Sequence, residues 1–372
     1  MRAKYGASLR NYLIENTQPI EIIDLGSGIF ESATVDSNLL IFQKDSQTKN
    51  KPFTAIDVSK ENSFSDFTVY NERKVEIKFI SDENWVISNP LELQIRKKIE
   101  AIGKPLKDWD IKINRGILTG LNDAFIIDEE TKNKLINKDV KNSEIIKPIW
   151  RWIDIHRYNI DYAHLYLINT HNGYKEIPKI NIDDYPSIKT HLQQYEPKLS
   201  KRSDKGKTPF NLRNCAYVDA FDKEKIIYPE TTVRRGEFFF DDSKFFTDKT
   251  CFFIVGKNLK YLNIILSSAL YTYYLENKLR LVGNITIQYS KQYLVDIPIA
   301  ITNNLQPFIE KADQMLLLNQ ELQEVVAKFT RTLLRKFENL EKLPKKLERW
   351  YELSFSDFVK ELKKKKIKLS LS

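Results

Sequence analysis

The 372-residue sequence holds two cysteines, Cys215 and Cys251, and four histidines. Two cysteines outside any Cys-x-x-Cys spacing argue against a disulfide framework and against structural zinc, and they fit a reducing compartment. His156, His164, His171 and His191 show no His-Glu-x-x-His spacing and read as ordinary surface or core residues. No run of 18 or more apolar residues occurs, and the opening MRAKYGASLRNYL is polar where a signal peptide needs an apolar stretch, so a cytoplasmic protein with no membrane partner is expected. Serine-centred nucleophile elbows are missing. Gly206-Lys207-Thr208 ends like a phosphate loop, but Lys201 stands where the loop's first glycine belongs and no apolar strand precedes it. Asp222 and Glu230 do not align with a nuclease's acidic pair.

What is present is ordered material. Apolar residues make up 42% and charged residues 29%, a composition that packs cores, and the length suits two or three compact units. The net charge of +9 favours a polyanionic partner without naming one.

Residues 8–16 have helical spacing, and apolar runs at 20–25 and 38–42 read as strands. Residues 43–65 turn polar and loop-rich, with one strand at 53–58. Residues 91–102, LELQIRKKIEAI, form an amphipathic helix stopped by Gly103 before Pro105. From 111 to 299 short strand-like runs alternate with Gly, Asn and Asp turns, with one helix at 259–276. Between 305 and 340 the apolar positions Phe308, Ala312, Met315, Leu318 or Leu322, Val325, Phe329 and Leu333 step by three and four, which predicts a long helix packed on a partner helix. Lys363 to Lys366 read as a solvated tail.

Asp24-Leu25-Gly26-Ser27-Gly28 is spelled like the glycine loop that cradles S-adenosylmethionine. Such a loop works by delivering its glycines to the start of a helix that crosses to a parallel strand. Only nine residues separate Gly28 from the next apolar run at Asn38, whereas a crossover needs at least about 10 to 12. An antiparallel pair is expected instead. Amine methylation on a flipped base also uses an acid or amide followed by Pro-Pro and an aromatic. No Pro-Pro dipeptide occurs; the nearest fragment is Ser88-Asn89-Pro90-Leu91.

At residues 114–128, NRGILTGLNDAFIID, the chain resembles the opening motif of the target-recognition domain in adenine-specific DNA methyltransferases and single-chain restriction-modification enzymes of the Eco57I and TaqI type. That motif runs Arg-Gly-Ile-x-Thr-Gly-x-Asn-x-Ala-Phe, and Arg115, Gly116, Ile117, Thr119, Gly120, Asn122, Ala124 and Phe125 match it. Residues 145–158, 199–217, 223–230, 259–276 and 291–299 are similar to later segments of the same domain. One departure stands at Arg151-Trp152-Ile153-Asp154, where the family has Arg-Gly-Arg/Lys-Asp.

The resemblance implies an α+β chain: a mixed-sheet recognition domain over 111–300, preceded by the tail of an α/β methyltransferase sheet at 1–45 and a connecting segment at 46–110, and followed by a helical region at 301–372. Both ends look clipped relative to the family. It implies a sequence-specific double-stranded DNA recognition module without its own catalytic residues or cofactor, S-adenosylmethionine belonging to the parent enzyme. Two alternatives stay open: an active N6-adenine methyltransferase of which this is the C-terminal portion, and a specificity subunit that pairs with a separate methyltransferase.

The candidate DNA-binding residues follow. Arg115 offers charge, Gly116 and Gly120 close backbone approach to a phosphate, and Thr119 and Asn122 short polar groups; the other reading is a tight turn in which Asn122 bonds locally. Lys201, Arg202, Lys205 and Lys207 form a basic loop for the phosphate backbone. Asn211, Arg213 and Asn214 have the side chains that pair with adenine and guanine edges. Arg234 and Arg235 sit at a tip suited to a groove, next to phenylalanines 238 to 240 that read as core.

Overall fold

The computed structural model describes residues 7–26, 29–30, 37–44, 51–59, 71, 74–77, 90–279, 281–282, 286–337, 343–365 and 367. The chain divides into two compact units, Met1–Trp109 with Thr231–Val233 and Tyr274–Ile301, and Asp110–Glu230 with Arg234–Tyr273 and Thr302–Ser372.

The first unit is built on a four-stranded sheet. Strand β1 (Gln18–Gly26) pairs antiparallel with β2 (Ser37–Gln43) and parallel with β3 (Phe53–Asp57), and β3 pairs antiparallel with β4 (Lys74–Ile77). Because successive strand residues face opposite ways, Ile22 joins Phe53 and Ala55 on one face while Ile23 joins Ile56 and Val58 on the other. The helix Ala7–Asn16 lays Leu13 and Ile14 on the first of these clusters. The boundary expected at residue 45 thus falls inside one sheet, since β3 is held by β1.

The helix Pro90–Ile102 opens with proline, whose missing N–H is unpaired at a helix start anyway. It stops at Gly103, where a Cβ would lie 2.6 Å from Pro298 Cβ. Lys104–Pro105 then pairs antiparallel with Pro298–Ile299. These contacts draw residues 274–301, expected with the recognition segment, into the N-terminal unit. Glu100 is held there by Tyr274 Oη at 3.1 Å and Lys278 Nζ at 2.8 Å.

The second unit contains two more four-stranded sheets. In one, β5 (Ile111–Arg115), β9 (Lys225–Pro229), β10 (Phe239–Asp241) and β12 (Cys251–Gly256) lie in the order β10-β9-β12-β5, all antiparallel. In the other, β6 (Ile126–Asp128), β7 (Ile146–Trp150), β8 (Leu165–Ile168) and β11 (Phe246–Thr247) lie in the order β11-β7-β8-β6, with β11 parallel to β7. Both contribute to one core that includes Phe125, Ile149, Leu167, Phe221, Ile227 and Phe253. The central strands β9 and β12 are covered on both faces, which is why their apolar runs are continuous rather than alternating. Lys225 opens β9 fully buried; its Nζ lies 2.8 Å from the carboxylate of its cross-strand partner Asp241 and donates to Phe221 O at 3.0 Å.

The single helix expected at 259–276 is two, Leu259–Leu266 and Ala269–Lys278. The break comes at Ser267, whose hydroxyl donates to Phe238 O at 3.2 Å beside Asn263 Nδ2 at 2.9 Å. A serine bonding elsewhere competes with the helix ladder. The long helix is present as Gln306–Lys336. Its start packs through Phe308 on Tyr261, with ring centroids 5.1 Å apart, and its end through Leu333 on Leu343, Leu347, Leu362 and Ile367. The last helix, Phe355–Lys364, is capped by Ser354 Oγ accepting from Asp357 N at 3.1 Å.

Candidate nucleic-acid interface

The motif that follows β5 makes a turn bonded to the rest of the protein at several points. Gly116 N–H donates to Cys251 O at 2.9 Å and Ile117 N–H to Thr247 O at 2.7 Å. A Cβ on Gly116 would lie 1.9 Å from Asp248 O, so glycine is required by the close approach of this backbone to the residues around Asp248. Thr119 is buried; its hydroxyl donates to Asn122 Oδ1 at 2.5 Å and accepts from Leu121 N at 3.3 Å. As placed, Thr119 and Asn122 make the locally bonded turn. Gly120 is exposed in the left-handed region at φ 68°, and its absent side chain leaves room for Asp204, whose Cβ would be 3.0 Å away.

Arg202 joins that turn to the basic loop. It is only 7% exposed. Its guanidinium donates to four backbone carbonyls, those of Thr119, Asp204, Pro209 and Asn211, and lies over the Phe125 ring at 4.5 Å. Burial lowers its pKa to about 10, partly offset by Asp204, so it stays charged at neutral pH. Asn211 is likewise buried. Its amide donates to Ile180 O at 2.9 Å and its oxygen accepts from Thr208 Oγ1 at 2.7 Å. Arg202 and Asn211 therefore do not present their side chains to a ligand in this structure; they fix the loop.

The fixed loop raises its other basic residues outward. Lys201, Lys205, Lys207, Arg213 and Asn214 are all exposed. Lys205 Nζ donates to Ser200 O at 2.6 Å, and Arg213 Nη1 donates to Asp204 Oδ1 at 3.1 Å. Gly206 N–H donates to Asn211 O at 2.9 Å and Lys205 bridges to Leu212, so the loop folds back on itself and brings 205–207 beside 211–214. Asn172, which sequence reasoning missed, positions both arms: its Oδ1 accepts from Lys207 N at 2.8 Å and its amide donates to Asn214 Oδ1. The one sequence signal for it is the His171-Asn172-Gly173 turn, in which Gly173 has φ 82°.

Arg115 is half-buried beside this rim. Its Nη2 pairs with Glu230 Oε2 at 2.6 Å and its Nε donates to Lys249 O at 2.9 Å. The Tyr217 phenol is pushed up by burial and by Cys215, against the opposing pull of Arg115 and Arg213.

Arg234 and Arg235 are both half-buried. Arg234 Nε pairs with the buried Glu237 at 2.6 Å, its Nη1 bonds His156 Nδ1 at 2.8 Å, and its guanidinium lies 5.8 Å from the Trp152 ring. Phe238 and Phe240 are buried, in keeping with a core role. The departure at 151–154 is a short helical turn locked by Arg151, whose backbone N–H and Nη2 donate to Asp154 Oδ2 and Oδ1, each at 2.9 Å. Trp152 and Ile153 are exposed.

Of the residues spelled like a cofactor loop, Asp24 to Gly26 are described, and they end strand β1. Gly26 pairs with Ser37 in the antiparallel register of β1 and β2, so the strand returns on itself instead of feeding a crossover helix. Gly26 at φ 69° packs against Ser59, 2.8 Å from where its Cβ would stand, and its N–H donates to Asp24 Oδ1 at 3.1 Å. Ser27, Gly28 and Asn89 lie outside the described residues. Among the described residues, no group of His, Cys, Asp or Glu is placed to hold a metal ion, and no helix is long and apolar enough to cross a membrane.

Two domain-family models match parts of the chain. Residues 147–299 match the TaqI-like C-terminal specificity domain, and residues 302–372 match a domain family of unknown function, DUF8810. The type II methyltransferase M.BstVI of Geobacillus stearothermophilus is 25% identical over 354 residues, covering 87% of this chain and 61% of that protein. The chain therefore spans about three fifths of that relative's length. Among solved structures, the type IIL restriction-modification enzyme MmeI, determined in complex with DNA, superposes with a TM-score of 0.51 at 12% identity, covering 94% of this chain and 42% of that one. The type IIG restriction endonuclease BpuSI gives 0.44 at 15% identity, covering 84% and 40%. The likeness to MmeI speaks to the fold, an α+β arrangement of mixed sheets and helices. The resemblance drawn from the segments after residue 145 agrees with the matched specificity domain, and the motif at 114–128 precedes the matched residues.

Proposed function

We propose that this chain, which carries a TaqI-like specificity domain of the methyltransferase and restriction-modification family, is the part of a longer adenine-specific enzyme that reads a short sequence in double-stranded DNA. The observation that carries the reading is the rim of exposed Lys201, Lys205, Lys207, Arg213 and Asn214 on a loop fixed from beneath by buried Arg202. Lysines on such a loop engage phosphates and set register without reading sequence. Arg213 and Asn214, held beside them, read base edges: arginine pairs with guanine O6 and N7, asparagine with adenine N6 and N7. The ion pairs Arg213–Asp204 and Arg115–Glu230 hold those guanidiniums in place until DNA competes for them.

In this reading the first sheet is the end of a methyltransferase sheet, and the rest of that domain supplies S-adenosylmethionine, the methyl donor. No residue of β1 or β2 contributes to that step. The test is selection from a randomised duplex pool with the purified chain, followed by an assay for methyl transfer. Enrichment of one short sequence without methylation supports the reading. Equal binding to all sequences contradicts the specificity role, and methylation by this chain alone contradicts its division from catalysis.

A further inference from the structure

The long helix Gln306–Lys336 packs at both ends, but its middle carries an apolar seam that the described residues leave open. Leu318 is 49% and Val325 54% exposed, and Met315, Leu322 and Phe329 are half-buried between and beyond them. Their spacing of three, four, three and four is the heptad seam by which one helix receives another. Phe329, at the end of the seam, also packs on Trp350 and Phe358, with ring centroids 4.2 and 6.0 Å away.

The charges beside the seam specify the occupant. With Met315, Leu322 and Phe329 at the first core position of each heptad, Gln314, Glu321, Lys328 and Arg335 fall at the flanking position just before it. All four are exposed, and among the described residues Glu321, Lys328 and Arg335 form no ion pair within the chain. A parallel copy would set these groups against Asn319, Val326 and Leu333, which offer no charge. An antiparallel copy behaves differently. With Leu322 opposite the partner's Val325, Leu318 meets the partner's Phe329, Glu321 meets the partner's Lys328, and Gln314 meets the partner's Arg335, each twice by symmetry. Sliding by one heptad in either direction brings Glu321 onto its own counterpart or Lys328 onto its own. The seam is self-complementary in one orientation and one register.

We propose that a second copy of this chain docks on the middle of this helix as an antiparallel helix pair centred between Leu322 and Val325. The four central layers, from Leu318 to Phe329, are wholly apolar and bury the two most exposed residues of the seam. The long helix lies in the segment matched by the family of unknown function, apart from the DNA-reading loop.

Sedimentation velocity of the full chain over a concentration series tests this. The expected result is a reversible dimer. Leu318→Glu and Val325→Glu, both at exposed positions, give monomers with unchanged circular dichroism. Glu321→Lys, which creates two like-charge contacts, weakens the dimer roughly tenfold, and adding Lys328→Glu restores it. A monomer at every concentration, a dimer indifferent to the two glutamate substitutions, or a charge reversal that the second reversal does not rescue would each overturn the proposal; a seam made for a different partner's helix gives the first of these.

Discussion

The basic run from Lys201 to Lys207 places two kinds of charge within seven residues. Arg202 points inward, is only 7% exposed and spends its donors on four backbone carbonyls. Lys201, Lys205 and Lys207 point outward and are exposed. Asp204 lies between the two layers: its carbonyl accepts from Arg202 and its carboxylate from Arg213. The lesson is that a cluster of cations in a sequence is not one site. A planar guanidinium satisfies several carbonyls in fixed directions and suits the inner place, whereas a flexible, strongly hydrated ammonium suits the rim.

Substitutions separate the layers. Arg202→Met strands the carbonyls of Thr119, Asp204, Pro209 and Asn211 beneath the loop, and a loss of about 4 kcal/mol in stability is expected from removing charge-assisted bonds at a buried group. Urea unfolding measures it, and a loss below about 1 kcal/mol would place Arg202 outside the support of the loop. Gly116→Ala drives a Cβ toward Asp248 O, 1.9 Å away, and costs about 3 kcal/mol because backbone on both sides must move. A stability within about 0.5 kcal/mol of the parent would show that this approach is not required. Arg213→Ala leaves the urea midpoint unchanged and relaxes discrimination at one base position by about 1 to 3 kcal/mol, read by repeating the duplex selection.

The smallest expected effect concerns pH. Burial holds His171 and His191 below the ordinary histidine value of 6.5, with a bond to Ala124 O pulling His191 partly back. Because the folded state binds these protons less readily than the unfolded chain, their contribution is present above pH 6.5. It is lost as the pH falls from there toward the folded values. The urea midpoint should decline over that window, and a His171→Gln, His191→Gln variant should decline less; equal declines would assign the sensitivity elsewhere.

Legibility follows the same inner and outer division. Helix Pro90–Ile102, the antiparallel β1 and β2, and the long helix were readable because periodicity and stop signals are local. The pairing of β3 with β1, and of Lys104–Pro105 with Pro298–Ile299, was not, since no local pattern encodes a partner so far along the chain. At the candidate interface the motif positions were legible as a group, but their direction was not. Gly116 and Arg202 look like ligands in sequence because glycine and arginine serve both close packing and anion contact, and only the positions of Asp248 O and the four carbonyls decide between them. For Asn172 only a turn was legible, because its partners, Lys207 and Asn214, lie 35 and 42 residues away.

The most direct test of the outward layer is the salt dependence of affinity for the selected duplex, compared between the parent chain and a Lys201→Gln, Lys205→Gln, Lys207→Gln variant. Each lysine that neutralises a phosphate contributes about 0.9 to the slope of log affinity against log salt. The variant should therefore show a slope shallower by roughly two to three at an unchanged urea midpoint. An unchanged slope with this stably folded variant would contradict the assignment of the rim to DNA.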